Sequence, residues 1–214
     1  MLKVLHIIPS VFNYFDDIRT AAFGLVDTLQ TAGVEADVFT LQYGSAAAAP
    51  SVQEEVKEAT PKAGRTYKGQ LNIKTAVESF ADYDIVHLHA PFFGAAGKLL
   101  AWKQAHPEIP LVVTCHRRMV TPDFLSLFLK LYSLYYLPKI FMIGDLITVP
   151  SIAKFQAYFG ASFKKYKDKI MEIDDSSSFL GQDVSTSPDG TKLKPDERLA
   201  LKYIMVYNEI VSNS

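Results

Sequence analysis

The 214-residue sequence predicts an α/β fold: a Rossmann-like, doubly wound, mostly parallel sheet of about seven strands, with a C-terminal helix packed on it. Three observations carry this reading. The chain opens with an apolar run, Leu2 to Ile8, a helical segment reaching about Ala32, and a second apolar run, Val34 to Leu41, which together make a strand–helix–strand unit. A central run, Asp84 to Pro91, passes through a helical stretch, Phe92 to Ala105, into another strand, Leu111 to Thr114. Two further short apolar runs, Leu146 to Val149 and Lys169 to Ile173, flank a helix over Ile152 to Phe159. Alternation of this kind builds a parallel sheet with the strand order 3-2-1-4-5-6-7.

Each element has a local cause. In the first helix, Ile18, Ala21, Ala22, Leu25, Val26 and Leu29 recur at helical spacing and form one apolar face. Asp16 or Asp17 caps its start, and Gly33 ends it. Residues 44–69 hold an alanine run and many charges but few large apolar groups, so they read as an excursion from the sheet. Leu71 to Ile73 is a short strand candidate, and Thr75 to Phe80 a helical turn or two. Thr121-Pro122-Asp123 starts a helix running to about Tyr136, apolar nearly all round and therefore expected to be buried on more than one side. Ser151 caps the helix that follows it. Asp174 to Lys194, with its serine clusters, reads as a linker or long loop. The last helix starts at Pro195, carries Asp196 and Glu197 in its first turn, and aligns Leu199, Tyr203, Val206, Tyr207 and Ile210 on one face that must dock. The expected organisation is a domain over residues 1–174, a connecting stretch over 175–194, and a docked helix over 195–214.

Composition narrows the function. Apolar residues make up 49% and charged residues 21%, which specifies a packed globular core. A net charge of −1 gives no general attraction for nucleic acid, so none is expected as a partner, and membrane contact is expected to be peripheral at most. The apolar stretch from Phe124 to Val149 is broken by Lys130, Pro138, Lys139, Gly144 and Asp145, which rules out a spanning helix there. The N-terminal run is short, interrupted by His6 and followed by no cleavage-like site, so it does not read as a signal peptide. Cys115 is the single cysteine; no internal disulfide can form, and a cytoplasmic setting is expected.

Chemistry-bearing residues gather at the expected carboxyl ends of the strands, where open α/β sheets bind ligands. His87 and His89 share one face of the central strand. His87 is deeper and reads as a hydrogen-bonded core histidine. His89, at the strand end, either lines a cleft or belongs to the core. His116 follows the next strand and precedes Arg117 and Arg118, a set suited to an anionic or hydroxyl-bearing ligand, or else to a solvated surface turn. Cys115 reads as a small buried hydrophobe, and with His89 and His116 makes too small and too apolar a set for a metal site. The loop after the first strand, Asn13, Tyr14, Phe15, Asp16 and Asp17, lacks the glycines of a dinucleotide fingerprint, and its two carboxylates repel phosphate. One aspartate, or Asn13 with Tyr14, is placed to hydrogen-bond ligand hydroxyls. Tyr132, Tyr135, Tyr136 and Phe141 with Lys130 and Lys139 read as a buried helix with snorkelling lysines in preference to a membrane-facing surface.

Taken in order, five segments resemble one family. These are Leu2-Lys3-Val4-Leu5-His6-Ile7-Ile8-Pro9; the helix end and second strand from Leu29 to Val38; Asp84-Ile85-Val86-His87-Leu88-His89; Val113-Thr114-Cys115-His116; and Gly144-Asp145-Leu146-Ile147-Thr148-Val149-Pro150-Ser151. Their order and spacing resemble the N-terminal, acceptor-side half of GT-B glycosyltransferases of family 4, over about residues 1 to 175. Lys167 to Ile173 resembles the last strand of that half. The resemblance implies a two-domain enzyme. The first domain binds a carbohydrate, lipid-linked or small-molecule acceptor. The second binds a nucleotide-sugar as co-substrate and supplies a paired-glutamate motif. A hexose passes between them with retained configuration, without a metal or other cofactor. Carried over by position, His116 is the catalytic-side residue nearest the transferring sugar. His89 lines the cleft with it, and Asn13 to Asp17 face the donor diphosphate; Arg117 and Arg118, read from their residue type, are expected with His89, Asn13, Tyr14, Asp16 and Asp17 to bind acceptor or substrate. Two features depart from the family. Asp16 and Asp17 stand where a Gly-Gly pair is usual. After Ile173, where a second Rossmann domain would follow, come a polar stretch and a helix resembling the final helix that crosses back in full-length members. Activity is thus expected only with a donor-binding domain from a partner chain or an intact parent. The alternatives are a non-catalytic sugar- or nucleotide-binding or protein-interaction module, and a homo-oligomer of facing halves.

Overall fold

The structure is a computed structural model that describes residues 1–9, 16–40, 66–68, 77–92, 96–116, 131–160, 163–174, 176–187 and 190–213, with the backbone alone for 16 and 66–68. Seven parallel strands form the main sheet: β1 (Lys3–Ile8), β2 (Glu35–Thr40), β3 (Thr66–Lys68), β4 (Ile85–Ala90), β5 (Leu111–Cys115), β6 (Leu146–Val149) and β7 (Ile170–Glu172). Their order is β3-β2-β1-β4-β5-β6-β7, as the sequence predicts. The direction of winding reverses at β1, which pairs with β2 on one side and β4 on the other. The third strand lies at Thr66–Lys68, inside the stretch read as an excursion; Leu71 to Ile73 fall outside the described residues.

Side chains alternate across each strand, so the sheet has two distinct faces. Leu5, Ile7, Val86, Leu88 and Val113 pack on one face against α2 (Ala96–Ala105), α3 (Leu137–Ile143) and α4 (Ile152–Phe159), through Leu99, Trp102, Ile140, Phe141 and Phe155. Val4, Ile8, Ile85 and Val112 pack on the other against α1 (Asp16–Thr31) and α5 (Pro195–Ser212), through Leu25, Val26, Leu29, Tyr203, Val206 and Tyr207. Each fully buried aliphatic side chain stabilises the fold by roughly 1.5–3 kcal/mol. Gly33, at φ +89°, ends α1 with the Val34 amide donating to the Leu29 carbonyl at 3.0 Å. At the amino end of β5, the buried Lys103 donates to the Pro107 and Ile109 carbonyls and pairs with Asp145 at 2.9 Å, while the Leu111 amide donates to Asp145.

Three sequence expectations change. Asp16 and Asp17 are the first two residues of α1 as described, not residues preceding it, and the exposed Asp17 carboxylate complements the helix dipole. The helix ending near Tyr136 is not buried all round: Leu134 is 79% exposed, and Leu131 and Tyr135 are exposed too, with Lys139 Nζ 3.7 Å over the Tyr135 ring. Tyr132 alone of its tyrosines turns inward, its hydroxyl accepting from the Phe92 amide. Residues 117–130, which carry most of that predicted helix, lie outside the described residues; after its end, α3, begun by Leu137 and Pro138, packs in the core. The polar stretch after Asp174 is also more than a linker. It holds a small hairpin, β8 (Ser178–Phe179) and β9 (Gln182–Asp183), whose Phe179, with Val184 just after it, is buried beside α5. Among the described residues no helix is long and apolar enough to cross a membrane.

The docked face of α5 is anchored by a hydrogen bond between the Tyr207 hydroxyl and His87 Nδ1 at 2.6 Å, both groups fully buried. Tyr207→Phe leaves that ring nitrogen without a partner and is expected to cost about 1–3 kcal/mol in urea unfolding. Tyr135→Phe, at an exposed position, should fall within about 0.5 kcal/mol of the parent.

Candidate functional site

Register builds the site. His6 on β1 sits beside His87 on β4, His89 beside Thr114 on β5, and Thr114 beside Thr148 on β6, all on the face that α5 covers. These polar side chains make a seam across an otherwise apolar sheet. One half of it is a row of imidazoles. His6 Nδ1 and His89 Nε2 lie 3.0 Å apart, and His89 Nδ1 and His116 Nε2 2.9 Å apart. The other half joins hydroxyls: His87 Nε2 to Thr114 Oγ1 at 2.6 Å, Thr114 to Thr148 at 2.6 Å, and the Tyr203 hydroxyl to both threonines at 2.9 and 3.1 Å. The His87 and His89 rings stack with centroids 4.4 Å apart.

Burial dictates the charge state of this seam. Desolvation lowers the His6 pKa to about 3 and that of His116 to about 4. It holds His87 and His89 well below the ordinary histidine value, with the neighbouring imidazoles adding to the effect. All four rings are therefore neutral at pH 7. Burial likewise pushes the Cys115 thiol and the Tyr203 and Tyr207 hydroxyls up, so none of them ionises there. His6, His87 and His89 bring three ring nitrogens within 4.8 Å of one another, a cluster that could attract a metal ion. Five of their six ring nitrogens already have hydrogen-bond partners, however, and His6 Nε2 is the exception. Coordination would have to break the seam, so the set fits a hydrogen-bonded network better than a metal centre.

The row of imidazoles ends at a cleft. A cavity of ≈ 560 Å³ opens at the carboxyl ends of β4, β5, β6 and β7, between Pro91, His116, Ser151 and Asp174. Its walls are largely aromatic and aliphatic, including Tyr132, Phe155, Tyr158 and Leu199, with Lys154 as the cation among its lining residues. Lys202, fully buried on α5, donates to the Asp174 carbonyl and carboxylate and to Ser176 Oγ. Ser176 and Lys202 hold the Asp174 carboxyl below its ordinary pKa, so it stays ionised. The amino end of α4 is already occupied: the Ile152 amide donates to Glu172 at 2.7 Å, and Ser151 Oγ accepts from the Lys154 amide.

Of the residues the sequence singles out, His116 lines the cleft. His89 does not: it is 1% exposed and meets the cleft only through His116, because the pleat turns it under α5. Asp17 is exposed on α1 and is not among the cleft residues. Asn13, Tyr14, Arg117, Arg118 and the side chain of Asp16 lie outside the described residues. Sequence reasoning missed His6, Lys154 and Asp174. His6 was legible in principle, since it interrupts an apolar strand two residues from its end.

A Rossmann-like domain with its cleft at the strand ends beyond the switch point is the architecture of one half of a GT-B glycosyltransferase. The model of Glycosyltransferase Family 4 matches residues 18–153, well over half the chain, and the chain belongs to that family. The chain is similar to a solved α-glucosyltransferase in complex with UDP and a 13-mer DNA containing an HMU base, at 13% identity and a TM-score of 0.53 over 81% of this chain and 42% of that one. An α-glucosyltransferase in complex with UDP-glucose and DNA containing an abasic site is similar at 12% identity and a TM-score of 0.53, over 81% and 43% of the two chains. A glycosyltransferase from Rickettsia africae is similar at 17% identity, with a TM-score of 0.43 over 80% and 42%. The likeness to the two α-glucosyltransferases concerns the fold, and this chain spans about 42% of the length of the first of them. No curated protein matches the chain. Two of these solved proteins hold DNA, so the exclusion of nucleic acid drawn from net charge finds no support in them.

The neutral seam sets a pH dependence. In the unfolded chain the four histidines titrate near 6.5, whereas His6 and His116 in the fold titrate at about 3 and 4 and the other two also well below 6.5. Below pH 6.5 the unfolded state binds more protons, so stability is full above that value and falls as pH drops toward 4. Each histidine contributes a slope of up to about 1.4 kcal/mol per pH unit. Urea unfolding at pH 7 and pH 5 should show a marked loss at pH 5, and His6→Phe should make the loss shallower by about one proton. Equal stability at the two pH values would contradict a buried neutral seam.

Proposed function

We propose that this chain is the acceptor-binding half of a retaining, nucleotide-sugar-dependent glycosyltransferase. It transfers a hexose to a carbohydrate, lipid-linked or small-molecule acceptor when a donor-binding domain faces the cleft. The observation that carries this reading is the placement of His116 where the sheet's strand ends meet a cleft walled by aromatic and aliphatic side chains, in a chain of glycosyltransferase family 4. Aromatic walls stack on sugar rings and cover their apolar faces, while a few fixed polar groups set orientation. His116, neutral at pH 7, is suited to hydroxyl groups rather than to the charge of a diphosphate. Among the described residues, Lys154 is the cleft cation available to an anionic group. The structurally similar α-glucosyltransferases were solved with UDP or UDP-glucose, which supports a nucleotide-sugar donor here. The solitary buried Cys115 suits a reducing, cytoplasmic setting.

The test is sugar transfer by the chain joined to a donor-binding domain, measured as nucleotide release over a panel of nucleotide-sugars. Transfer should require both parts, and His116→Ala should lower kcat roughly 100-fold or more. Unchanged turnover in His116→Ala would remove that residue from the reaction. Calorimetric sugar or nucleotide binding by the chain alone, with the joined protein inactive, would favour a binding module.

A further inference from the structure

The row His6–His89–His116 has a property that its distances alone do not state. A neutral imidazole carries one N–H and one bare nitrogen. His89 uses both nitrogens, one toward each neighbour, so it donates to one and accepts from the other. The row therefore runs in one of two directions, and the direction decides which nitrogen of His116 holds the proton. In one direction His6 Nδ1–H donates to His89 Nε2, His89 Nδ1–H donates to His116 Nε2, and His116 keeps its own proton on Nδ1. In the other every bond reverses, His116 keeps a bare Nδ1, and the His6 proton moves to Nε2.

His6 decides between them. Its Nε2 is buried and has no hydrogen-bond partner among the described residues. The reversed direction would seal an unpaired N–H at that position, whereas the forward one leaves a bare nitrogen. Buried donors are left unpaired less often than buried acceptors. Every member of the row is on a strand or immediately after one, so the sheet fixes the backbone from which each ring projects. We infer that His6 and His89 are positioning residues that fix His116 as an Nδ1–H donor at the cleft. The tautomer of a functional histidine is set by the bond its other nitrogen makes, and here that bond is two residues deep. His116 thus gives a hydrogen bond to a ligand oxygen and does not take its proton. The inference rests on the reading that His116 meets substrate.

The experiment uses the full chain with ¹⁵N-labelled histidine and long-range ¹H–¹⁵N spectra at pH 7, which separate the two tautomers of each ring. His6, His89 and His116 are expected as Nδ1–H forms. His89→Gln, whose amide both donates and accepts, should keep His116 in that form, and His89→Leu should let the Nε2–H form appear. An Nε2–H His116 in the parent overturns the inference whether or not the leucine variant folds, and so does an unaltered His116 tautomer in a folded His89→Leu. In the joined transferase, His89→Leu should lower kcat roughly 10–100-fold, with most of it restored in His89→Gln. Normal turnover in His89→Leu beside an inactive His116→Ala removes the positioning role. Normal turnover in His116→Ala removes the underlying site reading instead and leaves the tautomers to be judged by their spectra.

Discussion

One side of this sheet depends on finding hydrogen-bond partners for a line of buried polar side chains. His6, His87, His89, Thr114 and Thr148 are all buried in the middle of a parallel sheet. A buried polar group costs roughly 1–3 kcal/mol when it lacks a partner and almost nothing when it has one. The sheet supplies some partners through register, and α5 supplies the rest through two tyrosine hydroxyls. A leucine-faced helix would bury as much apolar area but would leave His87 and the threonines short of partners. Tyrosine suits the position because it is apolar along its body and polar at its tip.

The same constraint links fold to site. Neutrality is enforced by burial, and a row of neutral imidazoles can carry a direction where charged ones could not. α5 also reaches the cleft from its own side, since Lys202 pins the Asp174 carboxylate and Leu199 lines the wall. The terminal helix is thus part of the half-site's construction, touching both the histidine seam and the cleft rim.

Much of this was legible in the sequence, for a physical reason. Parallel strands buried on both faces show as short apolar runs, and the helices between them as 3.6-residue patterns; together these specify strand order through simple crossover rules. The runs at Lys3–Ile8, Ile85–Ala90 and Leu111–Cys115 all appear where the pattern puts them. What the pattern could not show is orientation across layers. Leu131 and Leu134 look like core residues but face outward, whereas α3, which has no periodic sign in the sequence, packs in the core. The site shows the same limit. His116 was identifiable as a strand-end histidine, whereas His89, two residues after His87, needed the pleat and α5 to show that it is sealed. Asp174 looked like the start of a linker because its partner Lys202 is far along the chain.

The bond between His87 and Tyr207 spans 120 residues. A ribosome adding about 5–20 residues per second needs on the order of ten seconds to cover that distance. The sheet gains its last strand only at Glu172, and from there until α5 follows it has its strands but not its lid, with imidazoles, threonines and the apolar residues around them open to solvent or to other chains. A message cut short before α5 would yield a chain that hydrogen-bonds its strands and still displays this face to quality control. Docking of α5 is therefore what turns an open sheet face into a closed one.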